Sequence, residues 1–314
     1  MIYPILLNCY FKGKIMNIED ELLRGSIDLH AHGWPEFSLK MRGRMDDIEW
    51  AQMAKAAGMR AYVMKSHVYP TMAQAYLVNQ VVPDVKVFGS ITLNVTVGGL
   101  NPFAVELAGE LGAKIVWMPT WSSKNGLTKG GVFMARMKRI MSTIDNLLPS
   151  PEAGVTVFDS NGQLLPVVNE IIAIIKKYDM ILATGHLSIE ESMAVAEVAG
   201  KAGVKFMLTH ALNRQVAASP EQQKSFVKLG GYIEHCYITT MPLHGRLELS
   251  AIVESIKDVG PQHFIITTDA IGAWNATPPE LMRMFIGSLL NQGISENDIL
   301  TMSHDNPAKL LGLP

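Results

Sequence analysis

The amino-acid sequence predicts an α/β fold and, within that class, a (β/α)8 TIM barrel with an insertion after strand 4. Three observations support this prediction. The chain has 314 residues, 48% of them hydrophobic, which is enough for one large core. Eight short apolar runs alternate with longer amphipathic segments, as in parallel α/β proteins. An open doubly wound sheet is the alternative, but no GxGxxG loop follows the first run.

The eight apolar runs are interpreted as the barrel strands, because strands covered on both faces are short and rich in Ile and Val. They are 26–32, 60–66, 86–93, 114–119, 180–185, 205–209, 232–235 and 264–268. Helix-start signals lie between them. Capping boxes are predicted at Asp46 and Ser188, and proline opens further helices after Asn101, Ser219 and Thr277.

Two segments fall outside this alternation. Residues 1–25 are predicted to be an N-terminal extension of a barrel that spans 26–314, and Met16 opens a more ordinary start. Residues 121–163 are predicted to be the insertion, with an amphipathic helix at Val132–Leu147 and a hairpin at Asp159–Gly162. Because loops after barrel strands lie over the active-site face, we expect this insertion to be a lid. A surface excursion without function is the alternative.

Composition disfavours several classes of function. The net charge of −2 gives no general attraction to nucleic acid or to an anionic membrane. No apolar run approaches the roughly 20 residues that span a bilayer. The two cysteines, Cys9 and Cys236, form neither a CxxC motif nor a disulfide framework. We therefore expect a cytoplasmic protein that acts on a small molecule, with no nucleic-acid or membrane partner.

Metal-ligating residue types stand at the ends of four predicted strands. His30 and His32 close the first strand in the sequence DLHAH, and residues i and i+2 of a strand share a face, so both imidazoles can bind one metal ion. His186, His210 and Asp269 end the fifth, sixth and eighth strands. Since a barrel brings these strand ends to one mouth, the sequence predicts a metal centre there.

This arrangement resembles the amidohydrolase superfamily, over nearly the whole chain up to the closing segment NPAKLLGL. The resemblance is strongest to its phosphotriesterase-like or uncharacterised branches. It implies a TIM barrel that binds one or two divalent metal ions and activates a water for hydrolysis. The metal would usually be Zn²⁺, with Mn²⁺, Fe²⁺ and Ni²⁺ as alternatives. Homo-oligomers are common in the superfamily.

The resemblance also implies roles for individual residues. His30, His32, His186 and Asp269 would hold the more buried metal ion. His210 would help to hold a second ion or would polarise the substrate. Asp269 would also accept a proton from the attacking water, so Asp269 and His210 are the implied catalytic residues.

The predicted fourth strand departs from the superfamily pattern. Members with two metals commonly bridge them with a carboxylated lysine or a glutamate there, whereas this strand ends in IVWMPTW. Lys65, at the end of strand two, lies at the right depth, and a lysine buried beside cations has a lowered pKa. We hypothesise that Lys65, carboxylated or not, enters the metal site. Alternatively, its amine hydrogen-bonds substrate or pairs with Asp269.

Substrate contacts are predicted at His67, Asn94, Trp117 and Arg214, which lie at or just beyond strand ends. His244 is expected on the surface. The leading hypothesis for function is a metal-dependent hydrolase of an ester, lactone, amide or phosphoester. A mononuclear metal-dependent decarboxylase is the alternative, because strand four lacks a bridging ligand. A metal-binding barrel without catalysis is a third, although it would not need a proton acceptor.

Overall fold

The computed structural model describes residues 17–130 and 148–314. The strands that it contains are β1 Ile27–Ala31, β2 Ala61–Met64, β3 Lys86–Phe88, β4 Ser90–Thr92, β5 Ile115–Trp117, β6 Ile181–Ala183, β7 Lys205–Leu208, β8 Tyr232–Cys236 and β9 Phe264–Thr267. The helices are α1 Ile18–Leu23, α2 Asp47–Ala57, α3 Met72–Val81, α4 Pro102–Glu110, α5 Lys124–Lys129, α6 Pro166–Lys177, α7 Ile189–Ala202, α8 Pro220–Lys228, α9 Leu249–Val259, α10 Pro278–Asn291, α11 Glu296–Leu300 and α12 Asn306–Leu311.

The strands pair in parallel and in chain order, β1 to β3 in one sheet and β4 to β9 in the other. The two sheets meet at Gly89, which divides the third predicted run into β3 and β4. A β-carbon at Gly89 would lie 2.5 Å from the Met72 Cα, so glycine allows α3 to begin close to the strand. The predicted α/β barrel order is confirmed.

Backbone hydrogen bonds also join the last strand to the first. The Asp269 amide donates to the His30 carbonyl at 2.7 Å, and the His32 amide donates to the Ala270 carbonyl at 2.9 Å. The register of β1 shifts between Asp28 and Ala31, so His30 reaches the barrel mouth although its neighbour Leu29 packs in the interior core.

Apolar side chains form an inner and an outer core. The inner core is built by strand residues such as Ile27, Val63 and Ile265, and Leu310 of α12 packs against it. The outer core lies between strands and helices. The predicted capping boxes at Asp46 and Ser188 are both present.

The ends of the predicted extension and insertion pack against the barrel. Leu22 and Leu23 of α1 are buried, so residues 17–25 of the predicted extension belong to the packed body. In the insertion, α5 follows β5, and Phe158 pairs with Leu164 across the predicted hairpin turn. The predicted helix at Val132–Leu147 lies outside the described residues. Within the described ranges, no helix has the length and hydrophobicity needed to cross a membrane.

The outer faces of α3 and α4 expose large apolar side chains. Phe103, Leu107 and Leu111 recur at intervals of four residues and are 87%, 60% and 57% exposed. Tyr76, Leu77 and Val81 are similarly exposed on and beside α3. The acidic residues of α4 point elsewhere, since Glu106 and Glu110 accept hydrogen bonds from Tyr178.

Candidate metal centre

The two histidines of β1 converge on Asp269 at the barrel mouth. His30 Nε2 lies 2.9 Å and His32 Nε2 lies 3.2 Å from the same carboxylate oxygen, Oδ1 of Asp269. His30 and His32 are buried, and Asp269 is half-buried. Zn–N bonds of about 2.0 Å place neighbouring ligands of a tetrahedral ion about 3.3 Å apart. The three side chains therefore have the chemistry and the spacing of a metal-binding group.

Each of the two imidazoles faces a glutamate on its other side. His30 Nδ1 donates a hydrogen bond to Glu234 Oε1 at 3.0 Å, and His32 Nδ1 lies 3.4 Å from Glu36 Oε1. Glu234 is fully buried, and Glu36 is 9% exposed. Alternation along β8 explains why Glu234 enters the barrel, whereas its neighbour His235 points outward and donates to Ser255 Oγ at 3.1 Å.

Lys65 enters the same centre from the end of β2. Its Nζ lies 3.5 Å from His32 Nε2 and 5.1 Å from the centre of the Trp117 ring. The side chain is 2% exposed. Trp117 also contacts the His30 ring, with 4.5 Å between ring centres. The predicted position of Lys65 beside the histidines is thus found, while its carboxylation stays a prediction.

His186 and His210 form a second pair beside the first. Their ring centres are 4.9 Å apart, and the His210 ring is 6.3 Å from that of His30. Both rings bury an Nδ1 atom that has no hydrogen-bond partner among the described residues, and the same holds for His30 Nε2 and His32 Nδ1. Buried polar atoms in proteins nearly always have a hydrogen-bond partner, so these nitrogens indicate that a ligand binds here.

The backbone at this mouth departs from ordinary strand geometry. Asp269 and His210 have left-handed backbone angles, with φ of +49° and +30°. Such conformations cost on the order of 1–3 kcal/mol each for non-glycine residues and cluster at functional sites. Gly185 also has a positive φ, and a β-carbon there would lie 2.3 Å from the Met118 carbonyl oxygen. Glycine therefore lets the loop that carries His186 pass close to the end of β5.

Electrostatic interactions distinguish the first histidine pair from the second. Burial lowers the pKa of His30, but Asp269 and Glu234 outweigh this effect and raise it to about 9. Burial opposes ionisation of Asp269, yet the charge and hydrogen bonds of His30 and His32 hold its pKa well below its usual range.

The pKa values of the second pair and of Lys65 are instead lowered. Burial lowers the pKa of His210 to about 4 and holds that of His186 well below its usual range. Burial also lowers the pKa of Lys65. Since metal binding requires neutral imidazoles, His186 and His210 already favour the protonation state of ligands.

A cleft opens above these side chains. Asp269, His186 and His210 line its floor. The residues around them are His67, Trp121, Gly130, Asn213, Arg214, Gln215, Ile238, His244 and Ile271. The cleft therefore gives a small molecule access to the predicted ligands.

Two of the four predicted substrate contacts, His67 and Arg214, line this cleft. Arg214 Nη2 donates to the Gly130 carbonyl at 2.9 Å. The His67 ring stacks on that of His32, with 4.6 Å between centres. His244, which the sequence places on the surface, is partly exposed and also lines the cleft.

Asn94 and Trp117 do not line the cleft above the histidines. Trp117 is fully buried beneath His30. Asn94 is 3% exposed, and its amide donates to the His67 carbonyl and to Thr120 Oγ1, both at 2.8 Å. Asn94 lines a neighbouring pocket together with His67 and Trp121, and substrate contact by Asn94 and Trp117 stays a prediction.

Sequence reasoning missed three buried carboxylates. Glu36 lies in the loop after β1, and no motif in the neighbouring sequence indicates a role at the metal centre. Glu234 lies in a predicted strand, but the sequence does not show whether its side chain faces into the barrel. Asp28 Oδ1 accepts hydrogen bonds from the amides of His30 and Thr268, and Oδ2 accepts one from Thr268 Oγ1 at 2.5 Å. Asp28 on β1 thereby binds Thr268, the residue that precedes Asp269 at the end of β9.

A protein family described as "Family of unknown function (DUF6282)" matches residues 25–234, two thirds of the chain. The chain belongs to this family. The part matched to DUF6282 includes all the predicted ligands except Asp269. A search of curated proteins finds no match to the sequence.

Solved structures with this fold cover almost the whole chain. A probable dipeptidase, PvdM, from Pseudomonas aeruginosa has a TM-score of 0.64 at 13% identity, over 94% of this DUF6282 chain and 96% of its own. An amidohydrolase from the same organism has a TM-score of 0.60 at 13% identity, over 93% and 98%. An organophosphorus hydrolase from Deinococcus radiodurans has a TM-score of 0.58 at 13% identity, over 94% of both chains. The chain therefore shares the fold of these structures, in agreement with the predicted TIM barrel.

Proposed function

We propose that this protein is a metal-dependent hydrolase that cleaves an ester, lactone, amide or phosphoester bond of a small molecule. The observation that carries this proposal is the convergence of His30 and His32 on one oxygen of Asp269 beneath an open cleft. The printed names of the similar structures, an amidohydrolase, a probable dipeptidase and an organophosphorus hydrolase, support it.

The side chains present fit a divalent cation. The carboxylates of Asp269, Glu234 and Glu36 surround the two histidines, with Lys65 beside them. Uncompensated buried charge is costly, so a divalent ion would balance this group. The unpartnered Nδ1 atoms of His186 and His210 are further donors that a metal would satisfy.

We assign His30, His32, His186, His210 and Asp269 as the ligands, and Zn²⁺ as the metal, since imidazole and carboxylate ligands suit it. A bound divalent ion would lower the pKa of a water molecule toward 7 and polarise the substrate. Asp269 would accept the proton of the attacking water and pass it to the leaving group. His210 would orient the substrate's polar oxygen, and Arg214 and His67 would contact the substrate from the cleft walls.

The number of metal ions in the centre, one or two, depends on whether Lys65 is carboxylated. Its Nζ lies 3.5 Å from His32 Nε2, beside the first histidine pair. We propose that it carries a carbamate that bridges two ions. Native mass spectrometry should then show an added mass of one CO₂ in the wild type and not in a Lys65→Met variant. A wild-type mass without CO₂ in bicarbonate buffer would contradict the carbamate.

A metal-dependent decarboxylase is the second candidate, because β5 ends in Trp117 and offers no bridging ligand. Such an enzyme would use a single metal ion. Release of CO₂ from aromatic or enoic acids, without turnover of any hydrolysable substrate, would favour this alternative over the hydrolase.

The decisive experiment couples metal content with a substrate panel. Protein purified without chelator or histidine tag should contain one or two metal ions per chain by plasma mass spectrometry. It should hydrolyse at least one ester, lactone, amide or phosphoester, and lose this activity on chelation. A metal-free protein that cannot be reconstituted with zinc, manganese or iron would overturn the proposal.

Two further properties belong to this proposal. We expect the enzyme to act in the cytoplasm, without a nucleic-acid partner. We also expect a homo-oligomer, because the exposed stripe of Phe103, Leu107 and Leu111 is of the apolar kind that marks protein interfaces. Sedimentation of the wild type against a Leu107→Glu variant tests this: a wild-type monomer would contradict it.

A further inference from the structure

Two glutamates face the HxH histidines from the side opposite Asp269. Glu234 Oε1 lies 3.0 Å from His30 Nδ1, and Glu36 Oε1 lies 3.4 Å from His32 Nδ1. In both rings the other nitrogen, Nε2, points to Asp269 Oδ1. Each imidazole thus lies between two carboxylates, with hydrogen-bond geometry at His30 Nδ1 and at His32 Nε2.

Each glutamate also binds the main chain of a second histidine. Glu234 Oε2 accepts a hydrogen bond from the His210 amide at 3.1 Å, and Glu36 Oε1 accepts one from the His67 amide at 2.7 Å. Glu234 Oε1 additionally accepts from Thr267 Oγ1 at 3.0 Å. Two glutamates from different parts of the chain therefore make the same pair of contacts, an HxH ring and the backbone of another strand end.

We propose that Glu234 and Glu36 are positioning residues of the metal centre, which hold the proton of His30 and His32 on Nδ1. Each ring would then present an unprotonated Nε2 to the divalent ion. This inference rests on the proposed function, because it presumes that an ion binds there.

The physical basis is the chemistry of imidazole. A neutral ring carries its proton on one nitrogen and can bind a metal only through the other. A carboxylate at the protonated nitrogen fixes this tautomer, orients the ring and makes it a stronger ligand. Because the hydrogen bond of Glu234 at 3.0 Å is shorter than the 3.4 Å contact of Glu36, we expect Glu234 to matter more.

A matched control exists in Glu191. This glutamate is also buried, at 6% exposed, and accepts hydrogen bonds from Thr156 Oγ1 at 2.6 Å and from the Ser188 amide at 2.8 Å. None of its recorded partners is a histidine. A Glu191→Gln variant therefore reports what loss of a buried carboxylate charge does to the fold alone.

The first test measures metal affinity in the full-length chain. Zn²⁺ affinity of Glu234→Gln, Glu36→Gln and Glu191→Gln is determined by competition with a chelator, and the visible spectrum is recorded with Co²⁺. We expect affinity to fall roughly 10- to 100-fold for Glu234→Gln and about 10-fold for Glu36→Gln, with an altered Co²⁺ spectrum in both. Glu191→Gln should keep wild-type affinity and spectrum.

The second test needs no variant and so does not depend on how the substitutions fold. Long-range ¹H–¹⁵N spectra of the zinc-loaded wild type should show His30 and His32 protonated at Nδ1 and metal-bound at Nε2. Protons on Nε2 in either ring would overturn the assignment for that histidine.

The outcomes separate the two levels of the proposal. If wild type binds Zn²⁺ and both glutamine variants bind it as tightly as Glu191→Gln, the positioning role is wrong and the metal centre stands. If wild type binds neither Zn²⁺ nor Co²⁺, the metal centre fails, and the role of the glutamates fails with it.

Discussion

The two histidine pairs at the barrel mouth are built differently. His30 and His32 have a carboxylate beside each ring nitrogen, and although burial lowers the pKa of His30, the charges of Asp269 and Glu234 raise it to about 9. His186 and His210 bury an unpartnered Nδ1, and burial lowers the pKa of both. The first pair is oriented by the protein before any ligand arrives. Among the described residues, no carboxylate lies against either ring of the second pair, so a ligand would supply the partner of each Nδ1.

This difference predicts that the first pair dominates metal binding. A His30→Ala/His32→Ala variant should lose all bound metal, to about zero ions per chain, and all activity, since the two rings supply the oriented ligands. Metal content by plasma mass spectrometry checks this. A His263→Ala variant, whose residue precedes β9 at the far end of the barrel, is the control and should keep its metal.

The Nε2 atoms of His30 and His32 both lie next to Asp269. Replacing Asp269 tests its role as a proton acceptor more than its role in metal binding. Asp269→Asn keeps the size of the side chain but not its basicity. We expect kcat to fall roughly 10²- to 10⁴-fold, the usual contribution of a positioned proton acceptor. Steady-state kinetics beside metal analysis measures both. Full activity with asparagine at this position would remove Asp269 from the mechanism.

Substitution in the second pair should give a smaller loss. His210→Asn or His186→Asn removes a ligand that no carboxylate orients, so the ion held by His30 and His32 should stay. We expect metal affinity to fall about 10-fold, or one of two ions to be lost. Titration with Zn²⁺ of the two single variants distinguishes these results. Loss of all metal from either variant would show that the pairs are equivalent.

His235, a buried histidine outside both pairs, extends the comparison to the pH dependence of protein stability. Burial lowers the pKa of His235 to about 3, against about 6.5 in an unfolded chain. The neutral ring thus stabilises the fold above pH 6.5, and this contribution is lost as the pH falls from 6.5 toward 3.

Wild type should therefore lose about 1 kcal/mol more unfolding free energy than His235→Gln between pH 7.5 and pH 5.5. Urea unfolding of both metal-free proteins at the two pH values measures the difference. Equal losses would mean that the ring takes up a proton in the folded protein. The result is independent of the metal, because His235 points away from the barrel mouth toward Ser255.

The sequence alone predicts the eight strand runs and the positions of the four histidines and Asp269, because short apolar runs and strand-end polar residues leave a strong local pattern. The orientation of Glu234 and His235 could not be predicted, since alternation does not say which residue of a pair faces inward. Glu36 lies in a loop, where only the fold brings its carboxylate to His32. Trp117 ends β5 as predicted and packs beneath His30, whereas Asn94 lies two residues beyond the end of β4.

Asp28 binds the backbone of His30 and of Thr268, which are more than two hundred residues apart in the chain. The HxH motif leaves the ribosome early, whereas Thr268 and Asp269 follow near the end of synthesis. A nascent chain therefore carries two histidines without the carboxylate on which they converge. The metal centre can form only when β9 pairs with β1. A fragment that ends before β9 lacks Asp269, and it also lacks Thr268, whose hydrogen bonds to Asp28 hold the end of β9 in place.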